Sequence, residues 1–297
     1  MLRKGLIYME NGIKPITLEW KQMTAGSCGQ IEKLTNKQKP WQHIQFPAHF
    51  FLINHPKHGY VLVDTGYSTH FETHTKAFPY SLYAKTTPIS FSEEQSALSQ
   101  LKKLGISPDD IHTIFITHFH ADHVAGLRDF PNAKFICSKK AYDFLKNKKG
   151  IPAVLKGFVP GLLPDDFKSR VSFFENLPET NYKQLTKEVE ALLEFDSPIY
   201  DVFGDGSLFS VDVSGHAHGQ MGLFFYDKEM PVFLVADAAW DSSAIYNLEY
   251  PSRLTALIMT NFNEFKTNLE RLHAYHQTFP EVVIIPSHFR EWKGEVK

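Results

Sequence analysis

Residues 117–123 read Thr117-His118-Phe119-His120-Ala121-Asp122-His123, and four of these side chains can bind a metal ion. His118 and His120 are two positions apart, so at the end of a strand both side chains face the same way. Asp122 and His123 follow as a loop or the start of a helix and point to a neighbouring position. Imidazole nitrogens suit zinc and similar metals, and a carboxylate adds a charged oxygen. The stretch therefore predicts ligands for two adjacent metal ions.

Single histidines are weak signals in a chain that has 15 of them among 297 residues. Most isolated histidines lie at the surface or form hydrogen bonds in a core. We expect this of His43, His49, His55, His58, His70, His74, His112, His273 and His276. The cluster at 118–123 differs, because an apolar run at 111–116 leads directly into it and Gly126 follows it. This context favours a metal site.

Strand-like and helix-like segments alternate along the chain, which predicts an α/β fold. Predicted strands cover residues 16–20, 48–54, 60–64, 111–117, 221–226, 232–236 and 281–286, and predicted helices cover 185–195 and 261–279. A further helix is predicted from a capping box at 92–95 to Gly105. Its apolar stripe would be Leu98, Leu101 and Leu104. The link 54–59 reads as a hairpin turn, so we expect His55 and His58 to be exposed.

The H-x-H-x-D-H run at 118–123 resembles the signature of the metallo-β-lactamase superfamily. Four other segments match that family's pattern and order: Asp64-Thr65-Gly66 after an apolar strand, Gly215-His216, Asp237 ending another apolar strand, and His288 after a last strand. The resemblance covers most of the chain. It implies a four-layer αβ/βα sandwich with an inserted lid segment, in which all these pieces meet at one site.

Carried over position by position, the resemblance implies two divalent metal ions, most often Zn²⁺, with Fe or Mn as alternatives. Their ligands would be His118, His120 and His216 for the first ion and Asp122, His123 and His288 for the second, with Asp237 bridging both. Asp122 and Asp237 would be the catalytic carboxylates, and Asp122 would shuttle a proton. Asp64 would orient a ligand imidazole. His218 lies two residues past His216, and the family register favours His216 as the ligand.

Length, charge and cysteine content narrow the class of protein. Because the matched segments run from Asp64 to His288, we expect a single domain over 1–297. The formal net charge of −2 gives no electrostatic attraction to nucleic acid. Two cysteines, Cys28 and Cys137, are too few for a disulfide framework and are expected to be free thiols.

No segment of the sequence predicts targeting or membrane insertion. The N-terminal ten residues include basic side chains but no apolar run of signal-peptide length. No stretch approaches the roughly 18 consecutive apolar residues of a membrane-spanning helix. With the free thiols, this predicts a cytoplasmic protein.

The chain between His123 and His216 is longer than compact members of the superfamily need, and residues 151–199 carry the excess. One interpretation is a lid over the metal site, with Phe158, Leu162 and Phe167 in the substrate wall. The alternative is an insertion that packs on the core or on a second subunit. The sequence leaves both interpretations open, and an oligomer is possible.

The bridging oxygen ligand Asp237 separates the chain from the zinc β-lactamases, which have a cysteine near this position. The layout resembles most the N-acyl homoserine lactonases, which open a lactone ring. The resemblance therefore implies a hydrolase whose small-molecule substrate has an apolar acyl part. One position departs from the pattern: the lactonases have a tyrosine three residues after the bridging aspartate, where this chain has Trp240. Trp240 is expected in the substrate wall, with Tyr226 or Tyr246 as an alternative source of the phenol.

Other functions stay open at this point. A thioester hydrolase of the glyoxalase II type uses nearly the same ligands, although its basic residues for the glutathione carboxylates are not identifiable. A phosphodiesterase or nuclease would need a basic surface, and the net charge of −2 counts against it. A non-enzymatic metal-binding protein is expected to have lost ligands. An iron-dependent oxygenase relative would bind one iron instead of two zinc ions.

Overall fold

The computed structural model describes residues 15–177, 180, 185–228 and 230–290. Residues 1–10, where no signal sequence is expected, and residues 178–179 and 181–184 of the insertion lie outside it. The strands are β1 Glu19–Ile31, β2 His43–His55, β3 Gly59–Val63, β4 Ile89–Ser90, β5 Ile111–Phe115, β6 Lys134–Cys137, β7 Val171–Phe173, β8 Tyr200–Asp201, β9 Leu208–Asp212, β10 Met221–Asp227, β11 Met230–Ala236 and β12 Val283–Pro286. The helices are α1 Glu32–Thr35, α2 Thr69–Thr75, α3 Tyr80–Thr86, α4 Ala97–Lys103, α5 Ala121–Val124, α6 Lys139–Leu145, α7 Gly150–Val154, α8 Phe167–Arg170, α9 Lys187–Glu190, α10 Ser242–Tyr246 and α11 Phe262–Thr278.

Two sheets form the centre of this described part of the chain. The first has the strand order β4-β1-β2-β3-β5-β6-β7 and the second the order β12-β11-β10-β9-β8. Phe51, Val63 and Phe225 belong to one buried apolar cluster that draws on both sheets. Phe50 and Leu62, on the opposite faces of the same strands, belong to a cluster that includes helix residues. Successive side chains of a strand face opposite ways, so helices cover the outer faces of two stacked sheets. The predicted four-layer αβ/βα sandwich is confirmed.

Four chain segments leave the sheets at the carboxyl ends of parallel strands. β3 pairs in parallel with β5, and β11 pairs in parallel with β12. Asp64 directly follows β3, residues 117–123 follow β5, Asp237 directly follows β11, and His288 follows β12. Parallel strands end at the same edge of a sheet, so each sheet delivers two of these segments to one place.

The helix predicted from residue 92 was wrong in its start and in one buried position. The capping box at 92–95 is present, but it closes a short 3-10 turn, and α4 begins after a second cap at Ser96. α4 buries Ala97 and Leu101, whereas Leu104 is 45% exposed. Leu104 follows the last residue of α4, so the helical period no longer holds it against the core.

The hairpin between β2 and β3 contains one correction. His58 is exposed as predicted, whereas His55 is buried. His55 Nδ1 accepts hydrogen bonds from the backbone N–H groups of Lys57 and His58 at 3.0 and 3.1 Å, and Nε2 bonds Ser207 Oγ at 2.8 Å. A group of possible metal ligands also lies here, namely His55, His58 and Asp205. Both ring nitrogens of His55 are already used, Nδ1 within the turn and Nε2 in the hydrogen bond to Ser207.

The insertion contributes to the sheet and the core. β7 pairs in parallel with β6 at the edge of the first sheet. Phe167 stacks on Phe135 with ring centroids 5.0 Å apart, and Phe174 stacks on Phe115 at 6.1 Å. Leu162 is fully buried. The predicted helix at 185–195 is α9 followed by a 3-10 turn, Ala191–Phe195. These contacts hold most of the described insertion against the core.

The predicted helix at 261–279 is α11, capped by Asn261 Oδ1, which accepts a hydrogen bond from Glu264 N at 3.2 Å. Its buried face includes Leu269 and Leu272, and Tyr275 lies 5.8 Å from the ring of Phe233 on β11. α11 therefore covers the outer face of the second sheet. None of the helices in the described ranges combines the length and hydrophobicity of a membrane crossing.

His49 on β2 makes the stability of the fold depend on pH. Its Nε2 donates to the Phe289 carbonyl oxygen and its Nδ1 accepts from Thr24 Oγ1, both at 2.8 Å. Burial lowers the pKa of His49 from 6.5 to about 4. Below pH 6.5, His49 is protonated in the unfolded chain but stays neutral in the folded chain. The free energy of unfolding therefore falls as the pH falls toward 4.

We expect the unfolding free energy of the wild type, relative to that of His49→Gln, to fall by about 3 kcal/mol between pH 7 and pH 4. Urea unfolding at the two pH values measures this difference. His112→Gln, at an exposed position of β5, serves as the control. A difference that does not change with pH would show that His49 is not held neutral.

Candidate metal centre

Three histidine rings meet beyond the carboxyl end of β5. His118 Nε2 lies 3.1 Å from His120 Nδ1, and His216 Nε2 lies 2.9 Å from the same atom. His118 and His120 lie between β5 and α5, whereas His216 lies in the loop between β9 and β10. The structure thus brings together the three side chains that the sequence assigned to the first ion.

A second group lies beside the first. Asp122, His123 and His288 each offer a ligand atom, and these atoms lie within 4.8 Å of one another. His288 Nε2 is 3.5 Å and His123 Nε2 is 3.8 Å from Asp122 Oδ2. α5 carries the aspartate and His123, and the loop after β12 carries His288. These are the side chains that the sequence assigned to the second ion.

Asp237 lies between the two groups. Its Oδ2 is 3.2 Å from His216 Nε2 and 3.2 Å from His288 Nε2. Its Oδ1 is 3.5 Å from His123 Nε2. One carboxylate therefore faces a nitrogen of the first group and two nitrogens of the second, as the sequence expectation of a shared ligand requires.

Asp64 orients the ring of His123. Its Oδ2 accepts hydrogen bonds from His123 Nδ1 and Thr117 Oγ1, both at 2.7 Å, and its Oδ1 accepts from Thr117 N at 2.9 Å. With Nδ1 held outside, Nε2 of His123 points into the site. His288 is oriented in the same way, because its Nδ1 donates to the Pro47 carbonyl oxygen at 2.8 Å. The sequence analysis missed Thr117, although its place directly before the first histidine is a usable signal.

Two strand ends at the site hold residues with left-handed backbone. Asp64 has φ 58°, and Ala236, directly before Asp237, has φ 49°. Residues other than glycine seldom adopt this region and do so where surrounding contacts hold them. One such contact is the hydrogen bond from Ser287 N to the Ala236 carbonyl oxygen, at 3.0 Å. It joins the two segments that carry Asp237 and His288.

Burial keeps the three histidines of the first group neutral. It lowers the pKa of His118 well below its ordinary value, lowers that of His120, and lowers that of His216 to about 3. The neutral ring is the form that binds a metal ion, because one nitrogen then has a free lone pair.

The second group is dominated by negative charge. Burial opposes the charged form of His123, but the carboxylates of Asp64, Asp122 and Asp237 outweigh it and raise the pKa of His123 to about 10. Burial also opposes charge on His288, and Asp237 nevertheless raises its pKa. Protons on these rings occupy the places that cations would take, so metal binding has to release them.

The donor set fits a pair of divalent cations. His123 Nε2 and Asp237 Oδ1 are buried and find no hydrogen-bond partner among the described residues. Buried polar atoms without partners are rare, and a bound ion supplies the missing partner for atoms of this kind. Imidazole nitrogens with carboxylate oxygens are ligands that zinc and related metals accept. The residues are therefore suited to a dinuclear centre.

Three other residues considered in the sequence analysis, His218, Tyr226 and Tyr246, lie outside the two ligand groups. His218 is exposed, its ring packs on Phe144 at 5.0 Å, and it belongs to none of the ligand groups found among the described residues. Tyr226 bonds Thr186 Oγ1 at 2.5 Å through its hydroxyl. The ring of Tyr246 packs on His276 at 4.4 Å. Neither tyrosine is therefore positioned by these contacts to supply a phenol to the site.

One buried phenol near the site was missed by the sequence analysis. Tyr67 is fully buried, and burial followed by the charge of Asp122 raises its pKa well above the ordinary value. Its position directly after Asp64-Thr65-Gly66 is a signal that could have found it.

The residues expected in the substrate wall have distinct surroundings. Trp240 packs edge-on against His216 with ring centroids 5.4 Å apart. Phe158 and Phe167 contact Phe119 edge-on at 6.2 and 6.1 Å, and both are buried in the core together with Leu162. A cleft beside the first group is lined by Phe119, His120, Phe144, Leu145, Lys156, Ala217, His218 and Thr260.

Together, the two stacked sheets and the shared carboxylate define a metalloprotein of the αβ/βα class. The sequence matches the family model of the metallo-beta-lactamase superfamily over residues 44–272. The chain belongs to the metallo-β-lactamase superfamily.

Similar proteins include N-acyl homoserine lactonases. The lactonase AttM of Azorhizobium caulinodans is 28% identical over 233 residues, which cover 77% of this chain and 80% of AttM. A lactonase of Bacillus sp is 24% identical over 225 residues, with 75% and 76% covered.

Solved structures of lactonases share the fold. An N-acyl homoserine lactone hydrolase with N-hexanoyl-L-homoserine bound at its catalytic metal centre has a TM-score of 0.67 at 18% identity, covering 93% of this chain and 95% of that one. AidC, a dizinc quorum-quenching lactonase, has a TM-score of 0.62 at 17% identity, covering 97% and 92%.

Gly157 of the insertion lies against a ligand ring. A Cβ at this position would lie 2.5 Å from His120 Cδ2, and the residue has φ 63°. Gly157→Ala therefore displaces His120 or the insertion, and we expect affinity for Zn²⁺ to fall by about tenfold or more. Titration against a chelating dye measures it.

Gly59→Ala is the matched control for this change. Gly59 has φ 69°, so alanine is strained there too, but nothing lies within 4 Å of the added Cβ. Equal zinc affinities in the two variants would contradict a specific role for the contact between Gly157 and His120.

Proposed function

We propose that the protein is a dinuclear metal-dependent hydrolase that opens a lactone or cleaves a carboxylic ester. The first ion would be held by His118, His120 and His216, the second by Asp122, His123 and His288, and Asp237 would bridge them. The position of Asp237 carries this proposal, because its two oxygens face nitrogens of both groups. Zn²⁺ suits the donor set best, and Fe or Mn is the alternative.

The chain's own carboxylates divide the remaining work. Bound divalent cations would supply a nucleophile from water near neutral pH and polarise the substrate carbonyl. The side chain of Asp122 is 11% exposed, compared with 3% for Asp237 and 2% for Asp64. A partly exposed carboxylate can accept a proton from water and return it to the leaving group. We assign that proton transfer to Asp122, and orientation of His123 to Asp64.

We propose N-acyl homoserine lactones as the substrate class. AttM, with this activity in its name, is similar over 77% of the chain. The cleft beside His120 combines apolar side chains, such as Phe119 and Leu145, with the polar Lys156 and Thr260. Residues 155–158 of the insertion would then border the substrate. The buried free thiols Cys28 and Cys137 support a reducing, cytoplasmic location.

Loss of a ligand tests the assigned roles. We expect His118→Ala and Asp237→Ala each to lower kcat/KM by at least about a hundredfold, because metal-based charge stabilisation amounts to several kcal/mol. Bound metal, measured by elemental analysis, falls in parallel. His112→Ala, on the exposed side of the same strand β5, retains both. Full activity in either ligand variant would refute its role.

A substrate panel tests the reaction class. Zinc-loaded protein is assayed with acyl homoserine lactones, aryl esters, thioesters and phosphodiesters. We expect lactones with acyl chains to give the highest kcat/KM, with about two zinc ions per chain. Preference for thioesters would indicate the glyoxalase II type, and preference for phosphodiesters a phosphodiesterase. One iron per chain in protein purified without added zinc, together with no hydrolysis in the panel, would indicate oxygen chemistry.

A further inference from the structure

Trp240 makes a hydrogen bond that the sequence did not predict. It lies three residues past Asp237, and its Nε1 donates to Asp237 Oδ2 at 3.2 Å. The side chain is only 7% exposed. An indole has a single donor and no acceptor, so this bond uses its whole hydrogen-bonding capacity. The indole is therefore committed to the carboxylate and has nothing to offer a substrate oxygen.

The indole is fixed by its aromatic neighbours. It lies edge-on to His216, with an interplanar angle of 88°, and its centroid is 5.6 Å from that of Phe265 on α11. The Phe265 backbone packs directly against Gly215, so closely that a Cβ on this glycine would overlap it. The donor thus has a defined position between a histidine of the first group and a helix of the outer layer.

The oxygen that accepts this bond is the one at the junction of the two groups. Asp237 Oδ2 is also 3.2 Å from both His216 Nε2 and His288 Nε2. A carboxylate rotates freely about its terminal bond unless its oxygens are distinguished by different partners. The histidines already differ, since Oδ2 faces His216 and His288 and Oδ1 faces His123, and the Trp240 indole adds an N–H that donates to Oδ2 in every protonation state of the rings.

We propose that Trp240 is a positioning residue that fixes the rotation of the Asp237 carboxylate, so that its oxygens stay directed at the ligand nitrogens of both groups. The proposal rests on the dinuclear site proposed above. Because Asp237 would contribute to both metal sites, one hydrogen bond that fixes its orientation would raise the affinity for both ions. Partners that orient metal ligands typically change metal affinity by about 10–100-fold. Trp240 thus takes the place of the lactonase phenol with a different task.

The test is Trp240→Phe, which removes the donor and keeps an aromatic ring. Zn²⁺ is titrated into metal-free protein in competition with a chromophoric chelator. We expect the affinity for zinc to fall by about tenfold or more, and kcat at saturating zinc to fall while KM for the lactone stays within about twofold.

Trp20→Phe is the matched control. Trp20 on β1 also donates Nε1 to an aspartate, Asp227 Oδ2, at 3.2 Å, and it also packs on two aromatic rings, Phe51 and Phe225. Its removal costs the fold a similar bond away from the metal groups. We expect zinc affinity in this variant to equal that of the wild type. Equal losses in both variants, or wild-type affinity in Trp240→Phe, would overturn the proposal.

A measurement on the unaltered chain covers the case in which Trp240→Phe does not fold. The chain has four tryptophans, so ¹⁵N-labelled protein gives four indole N–H signals, which single Phe variants of the other three assign. We expect the Trp240 signal to shift as zinc is added up to two equivalents. An unmoved signal overturns the role of Trp240. Failure of the wild type to bind zinc at all would instead refute the proposed function.

Discussion

The buried carboxylate of Asp64 is the interaction on which the site depends. A charged group with 2% of its side chain exposed is stable only if its oxygens are hydrogen-bonded. Thr117 and His123 supply those bonds, from the start and the end of the segment that carries the histidine run. The end of β3 is thereby fixed to the end of β5. The ring of His123 is oriented by the protein itself, so little ordering is left for metal binding to accomplish.

The same logic fixes the second sheet relative to the first. His288 donates to the carbonyl oxygen of Pro47, and His49 donates to that of Phe289, both at 2.8 Å. Pro47 and His49 lie on β2 of the first sheet, whereas residues 288–289 follow β12 of the second. These two bonds cross between the halves of the sandwich directly beside the ligand groups. The position of His288 relative to β2 is therefore fixed by hydrogen bonds between the two halves of the sandwich.

The sequence predicted the fold and grouped the site residues because their signals are local or ordered along the chain. The H-x-H-x-D-H run and the apolar strands before Asp64 and Asp237 are of this kind. What it could not predict depends on contacts between distant segments. The burial of His55 involves Ser207, 152 positions away, whose Oγ accepts a hydrogen bond from His55 Nε2. Trp240 was assigned to the substrate wall because the lactonases have a tyrosine at this position, and no sequence pattern shows where an indole N–H points.

The insertion contributes both to the core and to the surroundings of the ligand groups. Its later part, which includes β7 and Phe167, packs into the first sheet and the core. Its earlier part reaches the site, where Lys156 lines the cleft and Gly157 lies against His120. The later part therefore supports the sheet, and the earlier part borders the ligand groups. A Cβ at Gly157 would displace a ligand ring, and the loop that carries His218 also carries His216, so Lys156 and Thr260 are the lining residues that lie outside the ligand segments.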